Sequence, residues 1–145
     1  MKQKGTYYVP TISAGKFVAQ QAAVPGYYHP LVVPKALEIG PQISETFSKA
    51  YKRGVKIAFG TDAGVFPHGD NGREFVFMVE GGMPAMEAIK SATIVNAGIL
   101  GIADKVGSIE KGKLADIVAT DENPLTNIRT MEKVSFVMKE GTRYK

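Results

Sequence analysis

The chain contains no cysteine. Disulfides and thiolate metal sites are therefore excluded, and a reducing, cytoplasmic compartment is favoured. Histidine is scarce: His29 and His68 are the only two. A zinc site built by this chain alone would have to lean on carboxylates. No apolar run approaches the roughly 20 residues that a membrane helix needs. The opening residues Met1-Lys-Gln-Lys-Gly-Thr-Tyr-Tyr8 lack an apolar signal core and a small-residue cleavage site. A dense basic run with interleaved aromatics is missing as well. The net charge of +4 is spread over separated groups such as Lys49, Lys52, Arg53 and Lys56, then Lys105, Lys111 and Lys113. Neither a nucleic acid nor a membrane is expected as a partner. No Ser-His pair or glycine-rich phosphate loop offers another chemistry, and no internal repeat is visible.

What remains is ordinary globular material. The 145 residues suit one domain, with 44% hydrophobic and 22% charged residues. Residues 6–12, rich in β-formers, predict a short strand ending near Pro10. Residues 13–29 read as irregular or loosely helical, with a turn at Pro25-Gly26. Apolar positions Ala36, Ile39, Ile43, Phe47, Ala50 and Tyr51 recur at threes and fours and predict a helix over 33–53. Gly40-Pro41 should kink it or split it, and Gly54 should cap it. Residues 55–60 form an almost wholly apolar run, the mark of a strand covered on both faces. A loop follows over 61–70. Asn71-Gly-Arg-Glu74 has capping-box spacing, which predicts that Glu74 caps the helix it opens. Pro84 should start a further helix with Met86, Ile89, Ala92, Thr93, Ala97 and Leu100 on one face, closed by Gly101. Beyond Asp104 the texture turns to short β-type pieces over 107–110, 114–119 and 134–138. Turns separate them at Lys111-Gly112, Asn123-Pro124 and Glu140-Gly141. The expected organisation is α/β: a βαβα unit over 1–104 with parallel strands, then a small β segment over 105–145.

The apolar strand runs directly into Gly60-Thr-Asp-Ala-Gly64. On local sequence alone Asp62 is a strand-end turn residue or a helix cap, the usual station of aspartate. Its wider setting points further. Gly54-Val-Lys-Ile-Ala-Phe-Gly-Thr-Asp-Ala-Gly64 resembles the eighth barrel strand of the amidohydrolase superfamily. Met86-Glu-Ala-Ile-Lys-Ser-Ala-Thr93, with Leu100-Gly101, is similar to the helix that follows it. Gly107-Ser-Ile-Glu-Lys-Gly-Lys-Leu-Ala-Asp-Ile-Val118 is similar to the strands that lead into that family's β-sandwich, and Asn123-Pro-Leu125 and Val137-Met-Lys-Glu-Gly141 continue the match. Thr6-Tyr-Tyr-Val-Pro-Thr-Ile-Ser13 and Gly60-Thr-Asp-Ala-Gly-Val-Phe-Pro-His-Gly69 resemble the branch of Xaa-Pro dipeptidases and Xaa-Arg carboxypeptidase-like enzymes.

The resemblance implies the last two strands and helices of a TIM (β/α)8 barrel, plus part of a small β-sandwich. It implies a metal-dependent hydrolase of amide or dipeptide C–N bonds, with zinc as one or two divalent ions in a longer parent. The family's ligands come from a His-x-His on the first strand, a carboxylated lysine or glutamate on the fourth, single histidines on the fifth and sixth, and an aspartate on the eighth. Only the aspartate has a counterpart here, Asp62, which the resemblance makes both metal ligand and catalytic carboxylate. In the family that aspartate accepts a proton from the attacking water and passes it to the leaving amine. Without the other ligands the chain should be inactive and hold no metal by itself. It would be the C-terminal fragment of a barrel of about 250 residues.

His68, in the loop after the strand, is a candidate to hold a substrate carboxylate, or a solvated loop histidine. Tyr8 is a candidate substrate contact at the end of the seventh strand, or a packing tyrosine. His29 reads as a surface loop residue, Arg73 as a solvated helix residue, and Asp116 as a buried backbone brace. The alternative to an enzyme is an interaction subunit. Uncovered strand edges and an open barrel interior would associate with a chain carrying the other strands, or with further copies in a homo-oligomer.

Overall fold

The computed structural model describes residues 1–145. Strand β1 is Tyr7–Tyr8, shorter than the β-rich run suggested, because Pro10 ends the ladder and Thr11 turns the chain at φ 47°. Helix α1, Ile12–Ala22, follows at once where irregular backbone was expected. Alanines at 14, 19 and 22 favour it intrinsically, and its start is secured from elsewhere in the chain, as described below.

Helix α2, Val33–Lys52, continues through Pro41 where a break was expected. An interior proline costs about 3 kcal/mol in isolation. Packing explains its survival. Gly40 lies so close to α1 that a β-carbon there would come within 2.7 Å of the Ala19 methyl. Gly15 likewise has no room for a β-carbon beside Ile43. The two helices are locked along this seam on both sides of the proline. Gly54, at φ 71°, then ends α2 as expected, and the Val55 N–H donates to the Ala50 carbonyl.

Strand β2, Lys56–Ile57, pairs in parallel with β1, Tyr7 opposite Lys56 and Tyr8 opposite Ile57. The Ala58 N–H extends the pairing to the Tyr8 carbonyl at 3.0 Å. Side chains alternate along such a strand. Ile57 enters a core with Ile12, Phe47, Phe75, Met78, Met83 and Ala88, and Phe59 packs against it. The opposite face carries Lys56, whose ammonium lies 5.2 Å from the Tyr7 ring centroid. By parity Asp62 belongs with Lys56 on that second face.

Helices α3 (Arg73–Glu80) and α4 (Ala85–Lys90) complete the layer behind β2. The single helix expected from Pro84 onward is interrupted by a π turn, Ser91–Val95, before α5, Asn96–Ile99. One extra residue rotates everything after it by about 100°. The expected apolar face is therefore broken: Ala88 is buried, whereas Met86 and Leu100 are exposed.

Residues 105–145 contain an antiparallel sheet of β3 (Ile117–Ala119), β4 (Phe136–Lys139) and β5 (Thr142–Arg143). The piece expected over 107–110 forms no strand, and Ile109 is almost fully exposed. Glu140 and Gly141, at φ 49° and 80°, make the two-residue turn between β4 and β5. Asp116 is exposed, not buried as expected, yet it does brace backbone: its Oδ1 accepts the Glu140 N–H at 2.8 Å.

A 3-10 turn, Ile128–Glu132, brings this part of the chain back onto the first. Ile128 and Met131 pack against the core, and Gly72 sits under the Met131 carbonyl with no space for a β-carbon. Gly72→Ala should therefore cost about 2 kcal/mol, because the obstruction is backbone and cannot rotate away. Thermal melting of the variant checks this; an unchanged midpoint would show that the turn is not docked.

Candidate functional site

The parallel strands end where their side chains meet irregular backbone. Asp62 lies just past β2 at φ 55°, and Thr11 just past β1 at φ 47°. Left-handed backbone is uncommon outside glycine and more so for a β-branched threonine. Each costs about 1–3 kcal/mol, and such residues cluster at functional sites. Here both lie at the same C-terminal edge of the two-stranded sheet.

The loop beyond Asp62 is tied down. Thr61 is buried, and the Asn71 Nδ2 donates to its Oγ1 at 3.0 Å. The other end of that carboxamide accepts the Gly69 N–H at 3.2 Å. Phe66 is buried with its ring 6.4 Å from that of Phe17 on α1. The Val65 N–H closes a turn on the Asp62 carbonyl at 3.2 Å. The Asp62 carboxylate itself is left exposed, so its lone pairs are open.

His68 is exposed in the same loop. No hydrogen bond or ion pair joins it to Asp62, and no three His, Cys, Asp or Glu side chains gather closely enough to hold a metal. Tyr8 is half-buried against the core cluster, on the helix-facing side. Burial, and then the nearby charge of Glu74, push its phenol pKa up. His29 is an exposed loop residue whose Nδ1 accepts the Leu31 N–H at 3.3 Å. Arg73 lies 3.8 Å from Asp70 and 5.6 Å from the Phe77 ring.

Glu74 corrects a sequence expectation. It does not cap its own helix. It is fully buried and accepts three hydrogen bonds from the start of α1: Ile12 N–H at 2.9 Å, Ser13 N–H at 2.7 Å and the Ser13 hydroxyl at 2.6 Å. A carboxylate suits the positive end of a helix. Here it comes from 62 residues away, so local spacing pointed to the wrong helix. Asn96 was not singled out at all. Its carboxamide grips the Phe59 peptide, donating to the carbonyl at 2.9 Å and accepting the N–H at 3.3 Å. The one sequence signal was a polar residue directly after the β-branched run Thr93-Ile-Val95.

Residues 1–143 match the model of the amidohydrolase family. The chain belongs to the amidohydrolase family. A crystal structure of a Xaa-Pro dipeptidase with methionine bound in its active site superposes with a TM-score of 0.95 at 58% identity, over 100% of this chain and 36% of that one. A putative prolidase from Bifidobacterium longum gives 0.83 at 29% identity, over 97% and 35%. Ochratoxinase from Aspergillus niger is 35% identical over 155 residues, which is all of this chain and 30% of that protein. This amidohydrolase-family chain thus spans about a third of the length of the relatives it matches. No helix in it is long and apolar enough to cross a membrane.

The family implies a divalent metal. The donor set here fits one part of such a centre: a single open carboxylate, Asp62, at a strand's C-terminal edge. Structural and catalytic zinc sites take three or four protein ligands. The remainder would have to come from outside these residues.

Proposed function

We propose that this amidohydrolase-family chain supplies the catalytic carboxylate of a metal-dependent hydrolase acting on C–N bonds, in dipeptides or N-acyl amino acids. The observation that carries the reading is the placement of Asp62. It stands exposed on strained backbone at the C-terminal edge of a parallel strand, the edge where barrel enzymes keep their chemistry. The likeness to the Xaa-Pro dipeptidase over the whole chain supports the dipeptide substrate class. In this reading β1 and β2 are the last two strands of a (β/α)8 barrel within residues 1–104, and 105–145 belong to a small β-sandwich.

Asp62 takes the proton of the attacking water and delivers it to the leaving nitrogen. Zinc, as one or two ions, would supply acidity to that water and polarise the scissile carbonyl. Asp62 ligates it at the same time. His68, mobile in position only through its exposed loop, meets the carboxylate of the substrate. Tyr8, placed against the core, packs.

The reading is tested by replacing the matched 36% of the solved Xaa-Pro dipeptidase with residues 1–145. The chimaera should hydrolyse Xaa-Pro dipeptides with added zinc, and the 145-residue chain alone should not. A folded chimaera without turnover, or turnover by the chain alone, would sink it. A second reading, an association subunit, is favoured by Tyr7 and Val9, which are 39% and 46% exposed at the open side of β1. Co-purification of the chain with separately expressed upstream strands would support it.

A further inference from the structure

We propose that Asn96 is a positioning residue for Asp62, clamping the Phe59 peptide and thereby fixing the strand end that presents the carboxylate. The proposal rests on the reading of Asp62 as the reacting group. Along β2, the Ala58 N–H goes to β1, whereas both polar groups of Phe59 go to the helical layer. Asn96 takes the carbonyl and shares the N–H with the Ser91 carbonyl, which lies 3.4 Å away.

The π turn makes this possible. It begins at Ser91 and ends immediately before Asn96, so the two groups that meet Phe59 flank it. Without the inserted residue, Asn96 would face about 100° away. The Phe59 ring is held independently, stacked on Phe75 of α3 with centroids 4.3 Å apart. Next along the chain, Gly60 lies against Val9, and Thr61 is held by Asn71. Peptide, ring and hydroxyl are thus pinned within three residues of Asp62. The left-handed turn at Asp62 begins from this fixed end.

The test is NMR of the isotope-labelled chain with Asn96→Asp, which keeps the shape and an acceptor but loses the donor to the Phe59 carbonyl. Three-bond couplings at Asp62 report its left-handed φ, a signature that a general loss of stability would not move. The expected result is averaging of those couplings and a roughly tenfold loss of amide protection at Phe59, with Phe47 and Met78 still protected. Should that variant fail to fold, Asn96→Gln, which displaces the amide by one methylene, should show the same local change. Unaltered Asp62 couplings overturn the proposal, as does a protection loss spread equally over Phe47 and Met78. In the chimaera, Asn96→Asp should lower kcat by about tenfold at unchanged KM. If Asp62→Asn leaves the chimaera active, the reading of Asp62 fails. Unaltered couplings overturn the positioning itself.

Discussion

Asp62→Asn in the chimaeric dipeptidase should lower kcat/KM by about a thousandfold while leaving the fold intact. A positioned proton carrier contributes about a hundredfold to ten-thousandfold, and a carboxamide cannot carry the proton. Asparagine is the right control for two reasons. It has the shape of aspartate, and it is among the few residues that tolerate the φ of 55° found here. The carboxylate is exposed, so neutralising it should leave the melting temperature where it is. Alanine would confound the result by adding backbone strain at a positive φ. Steady-state kinetics with a Xaa-Pro substrate, beside a melting curve, decide the matter. Activity within tenfold of the unsubstituted chimaera would remove Asp62 from the chemistry.

The largest expected loss of stability lies at Glu74. Glu74→Ala removes three acceptor contacts and leaves the Ile12 and Ser13 N–H groups buried without partners. Unsatisfied buried donors cost about 1–3 kcal/mol each, and a lost helix cap about 1, so the total should be about 3–4 kcal/mol. That is a large share of a domain's stability of about 5–15 kcal/mol. The variant should unfold at markedly lower denaturant concentration, and a midpoint shift worth under 1 kcal/mol would contradict the account.

Glu74 also carries a pH signature. Burial raises its carboxyl above the ordinary value of 4.5, while the Ser13 hydroxyl, the Ser13 N–H and the Ile12 N–H pull it partly back. The folded carboxyl therefore keeps its proton to higher pH than the unfolded one. Its contribution is complete below 4.5 and is lost as pH rises through the raised folded value. Glu74→Gln does not titrate. The melting advantage of the native chain over Glu74→Gln should thus be greater at pH 4 than at pH 8. An advantage that grows with pH would mean that the hydrogen bonds outweigh burial.

The sequence made legible what is local or periodic. The apolar run into Asp62, the glycine that ends α2 and the turn at Glu140-Gly141 were each readable from a few neighbouring residues. The family motifs around Asp62 likewise led to the amidohydrolase family. The misses share another cause. Glu74 serves a helix 62 residues away, so capping-box spacing assigned it to the wrong terminus. Pro41 stays inside α2 because α1 packs against Gly40, which no local rule sees. The π turn carries no strong composition signal. It shifted the buried face of α4 and α5 and concealed Asn96 behind a regular helical pattern.

The remote cap on α1 has a temporal consequence. Ile12 and Ser13 leave the ribosome well before their acceptor is made, by 62 residues in the case of Ile12. At synthesis rates of about 5–20 residues per second, that gap lasts roughly 3 to 12 seconds. An isolated helix as short as α1 is marginal in water. Throughout that interval the nascent segment must sample open conformations, and closure of the long loop to Glu74 has to come first. The α1 terminus is therefore a late checkpoint, which reports that α3 has already arrived.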